Sequence, residues 1–187
     1  MSNDNEQAIV DTGLAPSDPR ESALLVSLMP GAYTAIVTGI DGTTNNIALV
    51  DVFDLNSVTT PLLANISTRG TVSTGDAVMI AGTIIGGTTG QVVLVRGLGP
   101  SLAASVPNVL PDPQLSLIDA FGQTIATNNN WQDTQANEIA ATGLAPTNTL
   151  EAAILAPLLP GAYTAILSDV NGATGVGLVE IYNISTP

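Results

Sequence analysis

The segment MPGAYTAIV at 29–37 recurs as LPGAYTAIL at 159–167. The likeness extends well beyond these nine residues. TGLAPSDPRESALLVSLMPGAYTAI (12–36) aligns without a gap on TGLAPTNTLEAAILAPLLPGAYTAI (142–166), with about 16 of 25 positions identical, far above what two unrelated segments give. With one residue of slippage the match continues from NIALVDVFDL (46–55) onto GVGLVEIYNI (175–184). Residues 6–57 therefore duplicate 136–186, while residues 60–135 occur once. The chain reads as second half, first half, second half of a unit of about 130 residues, a common domain size. The expected organisation is a partial repeat over 1–57 and a complete unit over 58–187, as though a tandem array were entered midway. A solenoid of short repeats does not fit, because its period is about 20–50 residues.

Each copy opens on a short helical signal, NEQAIVDTG (5–13) and ANEIAATG (136–143). Gly13 and Gly143 suit a left-handed C′ position, and Pro16 and Pro146 follow. Strands are expected in the first copy at 22–28, 32–39 and 47–55, punctuated by Pro30-Gly31 and Asp41-Gly42. Asn171-Gly172 does the same in the second copy. The unique segment reads as strands at 62–68, 77–85, 91–98, 114–119 and 123–128, separated by turns rich in Gly, Pro and Asp. Many short strands without long helices between them indicate an all-β fold, an antiparallel sandwich or jelly roll with short helical turns. The runs AVMIAGTII, VVLV and IALVDV are apolar on both faces, whereas a one-sided strand alternates. Something should cover the second face: adjacent units or neighbouring chains.

Composition excludes several classes of function. Sixteen acids against three arginines give a net charge of −13 with no Lys, which argues against nucleic acid and against anionic membrane surfaces. The longest apolar stretch, at 150–167, is broken by Glu151, Pro157 and Pro160, so no membrane insertion is expected. MSNDNEQ has neither a basic start nor an apolar core, so no signal peptide is expected there. With no His, Cys or Lys, His-based triads, thiol chemistry, Schiff bases and the usual zinc ligands are absent, and no enzyme is expected. The carboxylates Asp51, Asp54, Asp169 and Glu180 read as surface acids. IIGGTTGQ (84–91) lacks the Lys-Ser/Thr of a phosphate loop and reads as a hairpin turn.

The segments 63–102, 112–131 and 142–184 resemble a repeat of about 130 residues found in large secreted or surface proteins of environmental bacteria. The stretch Asp112 to Ile184 carries L-x-L-x-D-x-x-G and later L-x-P-G-x-Y-T, and is similar to the pre-peptidase C-terminal β-sandwich of secreted hydrolases. Both resemblances imply a location outside the cell or on its surface, and architecture more than activity. In the second class an Asp pair often precedes the Trp; Asn129-Asn130-Trp131 stands here instead.

The site expectations are few. Asn128, Asn129, Asn130 and Asp133 could offer hard oxygens to calcium, the one cofactor considered, although Asn-rich turns are usually only turns. Carbohydrate platforms need aromatic residues, and only 3% of the chain is aromatic. Trp131 is read as a core plug, and Tyr33 and Tyr163, equivalent positions in the repeat, as packing residues beside Gly31 and Gly161. Arg96, in an apolar strand, calls for a carboxylate or carbonyl partner and is read as half of a sheet-locking ion pair. The function expected is a non-enzymatic extracellular structural module that associates with copies of itself, as the subunit of a filament or surface array. The alternative is a calcium- or carbohydrate-binding accessory module of a larger secreted protein.

Overall fold

From Asn65 onward, strands form where an apolar, β-branched run finds at least one neighbouring strand to pair with. The computed structural model describes residues 3–40, 47–55 and 64–184. Two compact units are present, Met1–Thr60 and Pro61–Pro187. The first contains helix α1, Asn3–Asp11, and among its described residues no strand. In the second unit β1 (Asn65–Val72), β2 (Met79–Ile85), β3 (Gln91–Leu98), β4 (Pro113–Asp119) and β5 (Thr124–Asn128) come first. They are followed by helix α2 (Ala136–Ala141), then β6 (Ala152–Leu158), β7 (Gly161–Asp169) and β8 (Gly175–Asn183).

The second unit is an all-β antiparallel sandwich. One sheet has the order β1-β8-β3-β6 and the other β2-β7-β4-β5, with antiparallel pairing throughout. The core between them is built from Val72, Val93, Val95, Leu115, Leu167 and Val179, among others, all buried. Leu115 and Leu167 sit opposite one another on β4 and β7 and fill the space above two glycines of the facing sheet. A Cβ on Gly97 would lie 2.8 Å from Leu167 Cδ1, and one on Gly177 would lie 2.8 Å from Leu167 Cδ2 and 2.9 Å from Val72 Cγ2. Glycine is required there by close approach. Gly177→Ala is expected to cost about 1–3 kcal/mol through overpacking. Leu167→Val removes one of the two clashing atoms, so the double variant should be more stable than the sum of the single changes predicts; urea unfolding of all four proteins checks this.

Several expectations need correction. Strands were expected at 22–28, 32–39 and 47–55, but none forms over the described residues of the first copy. The Asp41-Gly42 turn lies outside the described residues, as do residues 62 and 63 of the strand expected at 62–68; β1 begins at Asn65. The strand expected from Ala77 begins at Met79, after a 3-10 turn at Gly75–Ala77. The glycine-rich 84–91 stretch is not a hairpin, because β2 and β3 lie in different sheets and the turn carries the chain from one to the other. Pro160-Gly161 likewise joins β6 of one sheet to β7 of the other.

The doubly apolar runs divide into two cases. The outward residue Leu94 of β3 is buried with Ala153 of β6 beneath Ile139 of α2, with Trp131, Leu144 and Leu155 packed around them. The chain between β5 and β6 thus covers one sheet. On β2 the outward residues Ile80 and Ile84 are exposed.

Candidate association surface

The two copies of the repeat share their local structure and differ in what covers them. Thr12 Oγ1 donates to Ile9 O at 2.6 Å and accepts from Leu14 N at 3.1 Å; Thr142, Ile139 and Leu144 repeat the same bonds at the same lengths. Gly13 and Gly143 take φ values of 74° and 71°, which glycine adopts without strain. Tyr33 Oη donates to Met29 O at 2.8 Å and Tyr163 Oη to Leu159 O at 3.0 Å, and each ring lies over the glycine two residues before it, Gly31 or Gly161. All these contacts span at most four residues, so each copy makes them alone.

The two copies differ in how far their equivalent side chains are buried. Ile154 is 3% exposed where its counterpart Leu24 is 85% exposed; Leu167 is 0% exposed where Val37 is 59% exposed. Val179 and Ile181 are buried, and their counterparts Val50 and Val52 are not. These are the inward positions of the sandwich. At outward positions the copies agree better: Ile9 is buried like Ile139, and Ala23 and Leu25 are half-buried. The first copy therefore has an open inner face of Leu24, Val26, Leu28, Val37, Val50 and Val52. Covering six such side chains is worth roughly 10 kcal/mol.

Two polar networks hold the second copy onto the unique segment. Glu151, fully buried, accepts from Gly99 N (3.1 Å), Ser101 N (2.9 Å) and Ser101 Oγ through Oε1, and from Asn148 N through Oε2. It thereby supplies acceptors to the start of the 3-10 turn Pro100–Ala104. Arg96 lies opposite Glu180 in the β3–β8 register, and Ser67 flanks Glu180 on β1. Its Nε donates to Glu180 Oε2 at 2.8 Å, and its Nη2 also reaches that oxygen. Nη1 donates to Leu144 O at 2.6 Å and Nη2 to Tyr182 Oη at 3.0 Å, with the guanidinium 5.0 Å from the centre of the Tyr182 ring. The arginine thus joins two strands and the covering loop, a geometry that lysine's point charge does not reproduce.

Tyr182 Oη donates to Glu180 Oε1 at 2.9 Å. Burial, then that hydrogen bond and the Glu180 charge, raise the phenol above its ordinary value. The fold therefore favours the neutral phenol. Its contribution is complete below the unfolded value near about 10 and is lost as pH rises through the higher folded value. Stability should fall on this account above about pH 10, and Tyr182→Phe should make the fall shallower, as urea midpoints at several alkaline pH values will show.

The asparagine-rich turn serves the edge of the sheet. Asn128 Oδ1 accepts from Ala153 N at 2.9 Å, and its Nδ2 donates to Asn130 O. Gln135 pairs with both backbone groups of Leu155, at 2.8 and 3.0 Å. The next alternate position on β6 is Pro157, which has no N–H. The outer edge of β6 is thus closed to strand pairing by two amide side chains and a proline. Asn130 Nδ2 donates to Asp133 Oδ2, while Asn129 Oδ1 and Asn130 Oδ1 are buried without a hydrogen-bond partner. No group of three or more acidic residues able to hold a metal occurs among the described residues. Trp131 is half-buried against the cluster beneath α2, its backbone N–H donating to Glu151 O at 2.8 Å. Asp169 is buried and caps the turn to β8 by accepting from Asn171 N and Ala173 N. Asp51 is exposed, as is Asp54. The roles of Glu151 and Gln135 were missed by sequence reasoning, and Asn128, read as an oxygen donor to calcium, instead bonds the backbone of Ala153; the one available signal for Glu151 was that it is the acid kept as Glu21 in the repeat.

No protein-family profile matches the chain, and no curated protein matches it significantly. Among solved structures it is similar to the pre-peptidase C-terminal domain of a collagenase from Bacillus anthracis. The TM-score is 0.40 at 10% identity, covering 63% of this chain and 88% of that one. No helix among the described residues is long and apolar enough to cross a membrane.

Proposed function

We propose that the chain is a non-enzymatic, extracellular structural module that self-associates, each open half being covered by a neighbouring copy. One observation carries this reading: two copies of one sequence, one paired into a sandwich and the other with its inner face bare. The neighbour's sandwich need not open to receive it. Strand β2 is an edge of its sheet, has no charged residue, and shows Ile80 and Ile84 to solvent, so an extended apolar segment can add there. Such contacts are head-to-tail and generate a filament when they do not close. The extracellular setting rests on the resemblance of the repeat to surface proteins. Light scattering and electron microscopy of the purified chain test the reading: oligomers or fibres are expected, and Ile80→Asp with Ile84→Asp should abolish them. A strict monomer at high concentration overturns it.

A second reading, calcium binding at Asn129, Asn130 and Asp133, is favoured by the two unpartnered amide oxygens. A rise in melting temperature with calcium, lost in Asp133→Ala, supports it; no response counts against it.

A further inference from the structure

We infer that the first copy is a receptor for one kind of partner: an unoccupied half-sandwich built like residues 64–128, carried by a neighbouring repeat unit. This deepens the reading above, since it says what the open face is shaped to receive. The second copy shows the complex, because there the same sequence is seated on such a half. Two of the carboxylates that hold it are matched in the first copy. Glu21 stands where Glu151 accepts from the Gly99 and Ser101 backbone, and Asp51 stands where Glu180 receives Arg96. Phe53 stands where the Tyr182 ring lies beside the guanidinium, keeping the aromatic face while losing the hydroxyl. Glu21 and Asp51 are both exposed, so neither serves the core of its own unit.

Packing points the same way. Where the second copy sets Gly177 against Leu167, the first has Ala48 and Val37. One position gains the methyl and the other loses the branch that this methyl would strike. Paired changes of that kind make sense for a face that meets a partner in the same geometry. An arbitrary apolar surface would not need them. The partner must therefore bring a Gly-Pro-Ser turn to Glu21, an arginine within a strand to Asp51 and Phe53, and an apolar inner face to Val37 and Val52. Within this chain the corresponding half is already taken by the second copy, which leaves the receptor free for another unit.

The test extends the full chain at its N-terminus by a second copy of residues 61–130, leaving Trp131 as the only tryptophan to report that the original sandwich is intact. Amide exchange at 22–28 and 47–55 is expected to slow by roughly 100-fold or more relative to the unextended chain. Self-association should disappear, because the open face is now covered within the molecule. In the extended chain Glu21→Ala and Asp51→Ala should restore fast exchange at least in part. Fast exchange at these residues with Trp131 fluorescence unchanged overturns the inference. Protection indifferent to both substitutions also overturns it, since that is docking of an unspecific apolar face. The unextended chain separates the two proposals: if it is a monomer, self-association falls while protection in the extended chain still supports the receptor.

Discussion

Glu151→Ala should lower the stability of the Pro61–Pro187 unit by about 3 kcal/mol, while Glu21→Ala, at the equivalent position of the repeat, should change stability by less than about 0.5 kcal/mol. The two residues occupy the same place in the same motif, so propensity and composition predict equal effects. The environments differ. Around Glu151 the substitution strands the buried Gly99 amide and frees the part-buried Ser101 amide, and hydrogen bonds to a charged group are worth about 1.5–3 kcal/mol each. Water reaches part of Ser101, which keeps the expected loss near the cost of one to two such bonds. Glu21 faces solvent and strands nothing. Urea unfolding followed by Trp131 fluorescence reads the difference, since the single tryptophan lies within bonding distance of Glu151 itself. Equal effects at the two positions would mean that the first copy is covered in the isolated chain.

Arg96→Ala should cost about 3–5 kcal/mol, because it leaves Glu180 in a largely buried site without its counter-charge. The loss has three parts: the pair with Glu180, the bond to Leu144 O that holds the covering loop, and the contact with Tyr182. Arg96→Lys should recover only a fraction, since one ammonium group cannot reach all three in the geometry of the guanidinium fork. Combining Arg96→Ala with Glu180→Ala should cost less than the sum of the single changes, as no isolated charge then remains. Thermal unfolding of the four proteins measures this coupling. Additivity would show that the pair contributes nothing of its own.

How much of this was legible in the sequence depended on the range of the contact. The turn after each helix and the tyrosine spanning Pro30-Gly31 or Pro160-Gly161 are written within a few residues, and both copies make them. Strands in the unique segment and the second copy were readable to within two or three residues at their starts, because alternation, β-branching and turn residues agree there. The same signals in the first copy misled. LLVSL and AYTAIV have strand character, but a strand exists only when its N–H and C=O groups meet another strand, and no periodicity states whether that strand is present. The Arg96 environment was readable in outline, since a cation in an apolar run demands an acceptor, but its partner is 84 residues away and only the register identifies it. Asn128 looked like an oxygen donor for an ion. Its amide instead meets Ala153, a contact set by how β5 lies against the other sheet.

The closed edge of β6 makes the two edge strands β6 and β2 unequal. Asn128, Gln135 and Pro157 bar one flank to incoming strands, whereas β2 on the other flank keeps its ladder groups and its two isoleucines outward. Under the association proposed above, a newcomer would add along β2 and not along β6. Each would then face the same way as the last, and a rod built in that way would have distinguishable ends.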